Sequence, residues 1–380
     1  MNTLATVTNH HSLLNDIQAL GIRIENTTDL TIRKGGAGPT DHKAISIFNT
    51  TIMVPVHSAS AKSSPFEVTT PTKMGLASLK QDGKIIANIR FIQEPLFYKE
   101  KSSDGIPFWK IARLHSKDVL ATTVLQNCIR YKNKETSCQF CAIEESLKYD
   151  TTIGFKKPHH LAEVAKKAVE LDGITQFIMT TGTPASSDRG AKILFESVSA
   201  VAQSVTIPIQ VQCEPPDDFE WFQRLKNAGA SSIGMHLEAV TDRVRNAIMP
   251  GKAEVSLKYY FKAFQSAVKV FGKGNVSTYI LAGLGDTQEE ILDMSKRLIA
   301  IGVYPFVVPF VPVMNTPLQN HPSPDKDFMH EILNPLAQEL VQAGMTSDTL
   351  ASGCAKCGAC SSLSSFEKKA QDNSAIPIIA

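Results

Sequence analysis

The chain has 380 residues, 43% of them hydrophobic, and a formal net charge of +2. This composition suffices for a large buried core, in one big domain or two medium ones. Acidic and basic residues are mixed along the chain, so we expect neither nucleic-acid binding nor a membrane anchor. We find no signal-peptide pattern at the N-terminus, and the longest apolar run, residues 303–313, contains prolines and is too short to cross a bilayer. A reducing cytoplasm is therefore the expected compartment.

The first part of the chain, residues 1–117, is richer in Thr, Ser, Pro and Gly than the remainder. Its β-type runs, at Ala44–Val56 and Lys84–Phe91, predict a small, mostly-β accessory portion. Residues 59–65 are predicted to form an exposed loop. His42, His57 and His115 are candidates for a substrate pocket, but base rates favour structural or surface roles for each of them.

From about residue 118 to residue 345, short apolar runs alternate with amphipathic stretches. The predicted strands are Val119–Leu125, Ile174–Thr180, Ile207–Gln212, Ser232–His236, Val276–Leu281 and Tyr304–Val311. The predicted helices are His160–Leu171, Phe219–Ala228, Leu257–Val270 and Gln288–Ile301. This α/β alternation predicts a parallel sheet, best read as a partial (βα)6 TIM-type barrel, with a doubly wound open sheet as the competing topology. In both topologies, functional groups lie at the carboxyl ends of the strands.

Three of the seven cysteines form a C-x9-C-x2-C group, Cys128, Cys138 and Cys141, directly after the first predicted strand. They fit a buried inert triple, a zinc site with a fourth ligand, or a 4Fe–4S cluster with one open iron. The nearest histidines, His115 and His159, are distant in sequence. The spacing therefore favours three thiolates on a cluster whose fourth iron is free for a substrate or cofactor.

A second group, Cys354, Cys357 and Cys360, lies in a Cys-rich C-terminal tail, residues 346–380. Its C-x2-C-x2-C spacing on a glycine-containing loop predicts an auxiliary iron–sulfur cluster, with Cys213 as a candidate fourth ligand. Zinc is the alternative metal, and an ordinary buried thiol is the alternative role for Cys213. The residues after Cys360 are expected to be an unstructured tail.

Several segments resemble the radical S-adenosylmethionine (SAM) superfamily, although its usual cysteine spacing is C-x3-C-x2-C. The matching segments are Phe140–Ile143, Thr180–Thr183, Ile280–Asp286 and Val308–Leu318. The chain is more similar still to a biotin-synthase-related family found in bacterial nitrilase-associated gene clusters. Those matches are Gly35–Lys43, Cys128–Tyr131, Gln212–Asp218 and Met249–Lys252.

This resemblance implies an enzyme that reductively cleaves SAM to a 5′-deoxyadenosyl radical, which abstracts hydrogen from a small metabolite. It also implies nitrile, cyanide or related nitrogen metabolism, and an electron donor such as flavodoxin or ferredoxin. The implied SAM contacts are Phe140, Thr181, Gly182, Thr183, His236, Glu238, Lys252 and Val311. Core packing for Phe140, a satisfied core position for His236 and a solvated lysine at 252 are the structural alternatives. Glu214, at the end of the third strand, is the candidate catalytic residue.

Two other functions are weighed against this one. Biotin synthase holds a second, sulfur-donating cluster with three cysteines and an arginine, and Cys213 matches one of those cysteines. Ser277 stands where another should be, and no thiol is available for the third, so biotin-synthase-like sulfur insertion is disfavoured. The alternative from another class is a zinc-stabilised binding protein with no redox role.

Overall fold

The structure is a computed structural model and describes residues 9–25 and 42–374. The strands are β1 Arg23–Ile24, β2 His42–Ile47, β3 Thr50–Pro55, β4 Phe66–Val68, β5 Leu76–Gln81, β6 Lys84–Phe91, β7 Arg113–His115, β8 Val119–Thr123, β9 Gln176–Thr180, β10 Ile209–Gln212, β11 Ser232–Gly234, β12 Val276–Ala282 and β13 Val303–Pro309. The helices are α1 His10–Leu20, α2 Ala59–Lys62, α3 Phe108–Ile111, α4 Glu145–Lys148, α5 Pro158–Asp172, α6 Ala191–Ser204, α7 Glu220–Ala228, α8 Asp242–Ile248, α9 Pro250–Ala253, α10 Leu257–Phe271, α11 Gln288–Ala300, α12 Lys326–Gln342, α13 Cys354–Cys357 and α14 Leu363–Ser374. Most of the Gly35–Lys43 segment lies outside the described residues.

The larger sheet has seven strands in the order β13-β12-β11-β10-β9-β8-β7. Strands β8 to β13 are all parallel, and β7 pairs antiparallel with β8. A doubly wound sheet would reverse the strand order near its middle, whereas here each strand lies beside its predecessor in sequence. The predicted partial TIM-type barrel is confirmed, and the open doubly wound sheet is not observed.

The barrel strands are largely buried because both of their faces are covered. In β9, for example, Phe177 and Met179 are fully buried against the surrounding helices. Among the helices that were not predicted are α6 and α12, although α6 buries Leu194, Val198 and Val201 at helical spacing. These two helices complete the outer layer of the barrel.

The smaller sheet, at the N-terminal side, has six strands in the order β1-β4-β5-β6-β2-β3. Its β2–β3 hairpin turns at Phe48 and Asn49, whose φ angles of 49° and 62° are those of a two-residue hairpin loop. Residues 59–65 are not simply an exposed loop, because Ala59–Lys62 forms helix α2 and Ala61 is buried.

The C-terminal segment is folded onto the barrel, in contrast to the expected tail. Helix α14 packs on α12, and its Phe366 is 1% exposed. Just before the cysteines, the Gly353 amide donates to Gln176 Oε1 at 2.6 Å, and the Ser352 and Ser232 hydroxyls lie 2.7 Å apart. Gln176 and Ser232 begin their strands, so this segment covers the amino ends of the barrel strands. The Met53 amide of β3 donates to Ala359 O at 2.8 Å, which attaches the smaller sheet to it.

Among the described residues, none of the helices is both long enough and apolar enough to span a membrane.

Candidate active site

Cys128 lies in the loop after β8, at the carboxyl end of the barrel, as predicted. Two hydrogen bonds join this loop to the one after β9: the Ile129 amide donates to Thr183 O, and the Gly182 amide donates to Leu125 O, each at 2.9 Å. A Cβ on Gly182 would lie 2.1 Å from the Asn127 carbonyl oxygen. Only glycine therefore allows the two loops to approach this closely.

Cys138 and Cys141 lie on the same long loop as Cys128. Burial raises the pKa of both thiols, that of Cys141 to about 12, and each is influenced by Cys128, Glu238 and Lys252. These groups consequently lie within electrostatic reach of one another. The Gln139 amide donates to Ile248 O at 2.8 Å, which fixes the loop against α8.

The predicted SAM contacts Glu238 and Lys252 form a buried ion pair beside these thiols. Lys252 Nζ donates to Glu238 Oε2 at 2.9 Å, and the two side chains are 10% and 17% exposed. Burial lowers the pKa of Lys252, but Glu238 and other nearby acidic groups together outweigh burial, and the net shift is upward. The solvated-lysine alternative for Lys252 is therefore wrong.

Glu238 has a strained backbone. Its φ is +65°, in the left-handed region, and its carbonyl accepts from the Leu281 amide of β12 at 2.8 Å while its own amide donates to Tyr279 O. Non-glycine residues in this region are uncommon, and such strain is frequent at functional sites.

Glu214 has contacts that the sequence did not reveal. Arg130 Nε and Nη2 donate to its two carboxylate oxygens at 3.0 Å each, and the Thr183 hydroxyl donates to Oε1 at 2.8 Å. Burial raises the pKa of Glu214, but Arg130, Lys252 and Thr183 together outweigh burial and lower the pKa below its ordinary value. Arg130 also donates to the Gly251 carbonyl next to Lys252. This network connects the Cys128 loop to helix α9, which carries Lys252, and a catalytic role for Glu214 stays a prediction.

His236 and Tyr279 extend from this region into the barrel. The His236 Nδ1 accepts from the Tyr279 amide at 3.2 Å, and the two rings meet edge to face. Burial, with a contribution from Lys252, lowers the pKa of His236 to about 3, so the ring is neutral near pH 7. This hydrogen bond from a backbone amide is what we expect for a core histidine with a satisfied ring nitrogen. A contact between His236 and the SAM ribose stays a prediction.

The other predicted SAM contacts lie around the same carboxyl-end loops. Phe140 packs in a small apolar cluster with Met249, Leu284 and Phe310, as its core-packing alternative predicts. The Thr181 amide donates to Gln212 O at 3.2 Å, and Val311 follows the end of β13. Their contacts with SAM stay predictions.

Asp286, which ends a segment that resembles the superfamily, has a local role. Its carboxylate accepts from the Val240 and Thr241 amides at 2.8 and 3.2 Å and from the Thr241 hydroxyl. It thus fastens the loop after β11 to the loop after β12, close to Glu238.

The tail cysteines lie at the other end of the barrel interior. The Cys354 amide donates to Gln210 Oε1 and its sulfur accepts from Gln212 Nε2, each at 3.1 Å, and the Tyr279 hydroxyl is within hydrogen-bonding reach of Cys354 and Cys360. Burial raises the pKa of Cys357 to about 12. Gln210 and Gln212 are two residues apart on a predicted strand, so their side chains lie on the same face. This spacing was the signal in the sequence that could have predicted a polar face toward the barrel interior.

Cys213 does not join the tail cysteines. It directly follows Gln212, the last residue of β10, and side chains alternate between the two faces along a strand. Because Gln212 contacts Cys354, this alternation places Cys213 on the other side, and the charged groups near Cys213 are Glu214, Asp188 and Arg189. Its predicted role as the fourth ligand has no support in this geometry, and the ordinary buried thiol fits better.

The spacing of both cysteine groups argues against a single metal ion. Four ligands on one zinc ion, with Zn–S bonds of about 2.3 Å, place sulfurs about 3.8 Å apart. Among the described residues, just one group of three His, Cys, Asp or Glu side chains has its ligand atoms within 4.8 Å of one another, and it is Asp104, His159 and His160. The cysteines of neither group are therefore gathered as closely as one zinc ion would require, whereas a cluster distributes thiolates over separate irons.

The model of the Radical SAM superfamily matches residues 135–298 of the chain. That span begins just before Cys138 and ends in α11, so it contains Glu238 and Lys252. This match supports an enzyme of the radical SAM class, which uses a 4Fe–4S cluster and SAM. The non-redox zinc-binding alternative is therefore not supported.

Two curated relatives share part of this chain. Bacteriochlorophyllide c C-7(1)-hydroxylase of Chlorobaculum limnaeum is 27% identical over 272 residues, which are 66% of this chain and 66% of the hydroxylase. Lipoyl synthase of Ectopseudomonas mendocina is 27% identical over 173 residues, 44% of this chain and 46% of the synthase. The chain thus spans slightly less than two thirds of the one and about half of the other. Among solved structures, methylornithine synthase is 16% identical, with a TM-score of 0.43 over 59% of this chain and 61% of that protein.

Proposed function

We propose that Cys128, Cys138 and Cys141 hold the 4Fe–4S cluster of this enzyme and leave one iron open for SAM. The observation that carries the proposal is that the three thiols share one electrostatic neighbourhood with the Glu238–Lys252 ion pair. A cluster bound by these three thiolates would supply the electron for reductive cleavage of SAM and hydrogen abstraction from a substrate carbon.

The two members of the ion pair have complementary roles in this proposal. SAM carries a carboxylate, an ammonium and ribose hydroxyls, so Lys252 binds the carboxylate and Glu238 accepts from the ribose. Before SAM binds, the two buried charges neutralise each other, and either charge would be costly to bury without its partner. Gly182 with Thr181 and Thr183, and His236, Phe140 and Val311, are the further candidate SAM contacts.

The Arg130–Glu214 pair positions the site in this proposal. Its bidentate geometry fixes the loop that carries Cys128 against the loops after β9 and β10. Both side chains are nearly buried, 11% and 8% exposed, which strengthens the ion pair. Because the ion pair holds these loops in place, the radical stays directed at one substrate bond.

We also propose that the substrate is a small metabolite of nitrile, cyanide or related nitrogen metabolism, and that flavodoxin or ferredoxin is the electron donor. The resemblance to the nitrilase-associated family supports the substrate class. Hydroxylation at a carbon, in the name of one relative, replaces a C–H bond and agrees with hydrogen abstraction.

The test is an anaerobic assay for 5′-deoxyadenosine with dithionite as reductant. We expect Cys138→Ala to give no product above the background without enzyme, and Cys213→Ala to retain the wild-type rate. Normal cleavage by Cys138→Ala would sink the ligand assignment. A wild-type protein that contains zinc and no iron would contradict the proposed function as a whole.

A further inference from the structure

A histidine lies against the tail cysteines, and it comes from a distant part of the chain. His115 ends β7, and its Nε2 is 3.4 Å from Cys360 Sγ. The contact is a hydrogen bond whose direction depends on the tautomer of the imidazole. His115 was predicted to have a structural or surface role, and its proximity to the cysteines was not predicted.

The distance between these two atoms indicates how many metal ions the site can hold. Two ligands of one tetrahedral ion, with bonds of about 2.0–2.3 Å, lie about 3.5 Å apart. The 3.4 Å separation of Cys360 and His115 fits that value. Among the described residues, however, neither the three cysteines nor this pair with any third ligand has its ligand atoms within 4.8 Å of one another. As placed, Cys360 and His115 are spaced for one ion, and the four residues together are not.

Cys354 and Cys357 supply the second pair. They are three residues apart on helix α13, and side chains at that spacing lie on the same helical face. The C-cap Gly358, with φ of +68°, then reverses the chain so that Cys360 follows closely. Two ligand pairs around two metals form the arrangement of a 2Fe–2S cluster, which takes four protein ligands and accepts histidine in place of cysteine.

We propose that Cys354, Cys357, Cys360 and His115 hold a 2Fe–2S cluster at the amino end of the barrel, with Cys360 and His115 on one iron. This site is separate from the proposed SAM site, and it does not depend on SAM chemistry. It has all four ligands, so it is closed to direct coordination by substrate.

The surroundings of these residues suit such a cluster. Gln212 Nε2 and the Tyr279 hydroxyl are hydrogen-bond donors directed at the sulfurs, and donors of this kind stabilise thiolate and raise the reduction potential. Tyr279 also contacts His236, which faces the SAM side. The proposed cluster thus lies one tyrosine and one histidine from the region where the substrate radical forms.

The experiment uses the full chain with Cys128→Ala, Cys138→Ala and Cys141→Ala, reconstituted anaerobically so that only the tail site can be loaded. We expect about two irons and two sulfides per chain. Pulsed EPR of the reduced protein should show strong coupling to a histidine nitrogen, identified by 15N-histidine labelling. Adding His115→Cys should keep the iron and abolish that coupling. Adding Cys213→Ala, the matched control, should change neither.

Several results would overturn the proposal. Four irons without nitrogen coupling would mean a 4Fe–4S cluster on the three cysteines alone. Coupling that survives His115→Cys would identify another nitrogen ligand. Zinc without iron, or no metal in a chain whose circular dichroism matches wild type, would exclude the cluster. Each of these results leaves the SAM-cleavage assay of the unmodified protein unaffected, so the two proposals can fail separately.

Discussion

The two cysteine groups differ most in what lies beside them. Cys128, Cys138 and Cys141 share their surroundings with a buried carboxylate and a buried ammonium, Glu238 and Lys252. The tail cysteines contact neutral hydrogen-bonding groups and an imidazole instead. SAM is a charged ligand with ammonium, sulfonium and carboxylate groups, so it needs the first environment and gains little from the second. The difference teaches that the number of thiols in a group does not alone decide where SAM binds.

The largest expected effects come from two glycines, one at each site. In Gly182→Ala the new Cβ would clash with the backbone carbonyl oxygen of Asn127 at 2.1 Å. In Gly353→Ala it would clash with the side-chain amide nitrogen of Gln210 at 2.0 Å. We expect Gly182→Ala to lose the SAM cluster and SAM cleavage, and Gly353→Ala to lose the tail metal. Iron, sulfide and 5′-deoxyadenosine measurements on the purified variants check this.

Gly154→Ala is the matched control for the glycine pair. Its nearest neighbour would be Asn127 Oδ1 at 3.6 Å, an ordinary contact, and its backbone does not require glycine. It should keep both metal contents. If Gly182→Ala and Gly353→Ala each lost iron from both sites equally, the two sites would not be independent, and the comparison would fail.

A smaller effect is expected on SAM affinity from Glu238→Ala. The proposed charge-assisted hydrogen bonds to the ribose are worth about 1.5–3 kcal/mol, so the Kd for SAM should rise about tenfold or more. Isothermal titration on anaerobic protein measures it, with Glu170→Ala, an exposed acid paired to Lys167, as control. An unchanged Kd in a folded Glu238→Ala variant would assign Glu238 another role.

The smallest effect is expected from Arg130→Lys, because lysine keeps the charge but loses the bidentate contact. SAM cleavage should slow several-fold while the cluster stays bound. Since the folded-state pKa of Glu214 lies below its ordinary value of 4.5, the wild-type pair stabilises the fold above that pH and loses this contribution as pH falls through the folded-state pKa. Arg130→Lys should therefore unfold at a higher pH in acid titrations followed by circular dichroism. If both proteins unfolded at the same acid pH, the stabilising role of the Arg130–Glu214 ion pair would be contradicted.

The barrel could be predicted from sequence because its signal is local. Each of the six predicted strands overlaps an observed one, since a buried parallel strand is a continuous apolar run between helical patterns. The carboxyl ends of those strands also form one edge, so Cys128, Glu214 and Glu238 could be expected near one another.

The contacts that were missed are non-local. Arg130 and Glu214 are 84 residues apart, and Cys360 and His115 are 245 residues apart, so no spacing rule connects them. The tail looked unstructured because its helix α14 is polar on average, and its few apolar residues, such as Phe366, are buried only once α12 is in place. Cys213 was placed with the tail by counting thiols, whereas strand alternation turns it away.

The most direct test of the central comparison is which cluster SAM touches. Pulsed electron–nuclear double resonance with SAM labelled with 15N at its amino group reports coordination of that nitrogen to iron. We predict nitrogen coupling in the wild type and in Cys357→Ala, and none in Cys138→Ala. Coupling that persists in Cys138→Ala and disappears in Cys357→Ala would contradict the account, because it would place SAM on the tail cysteines.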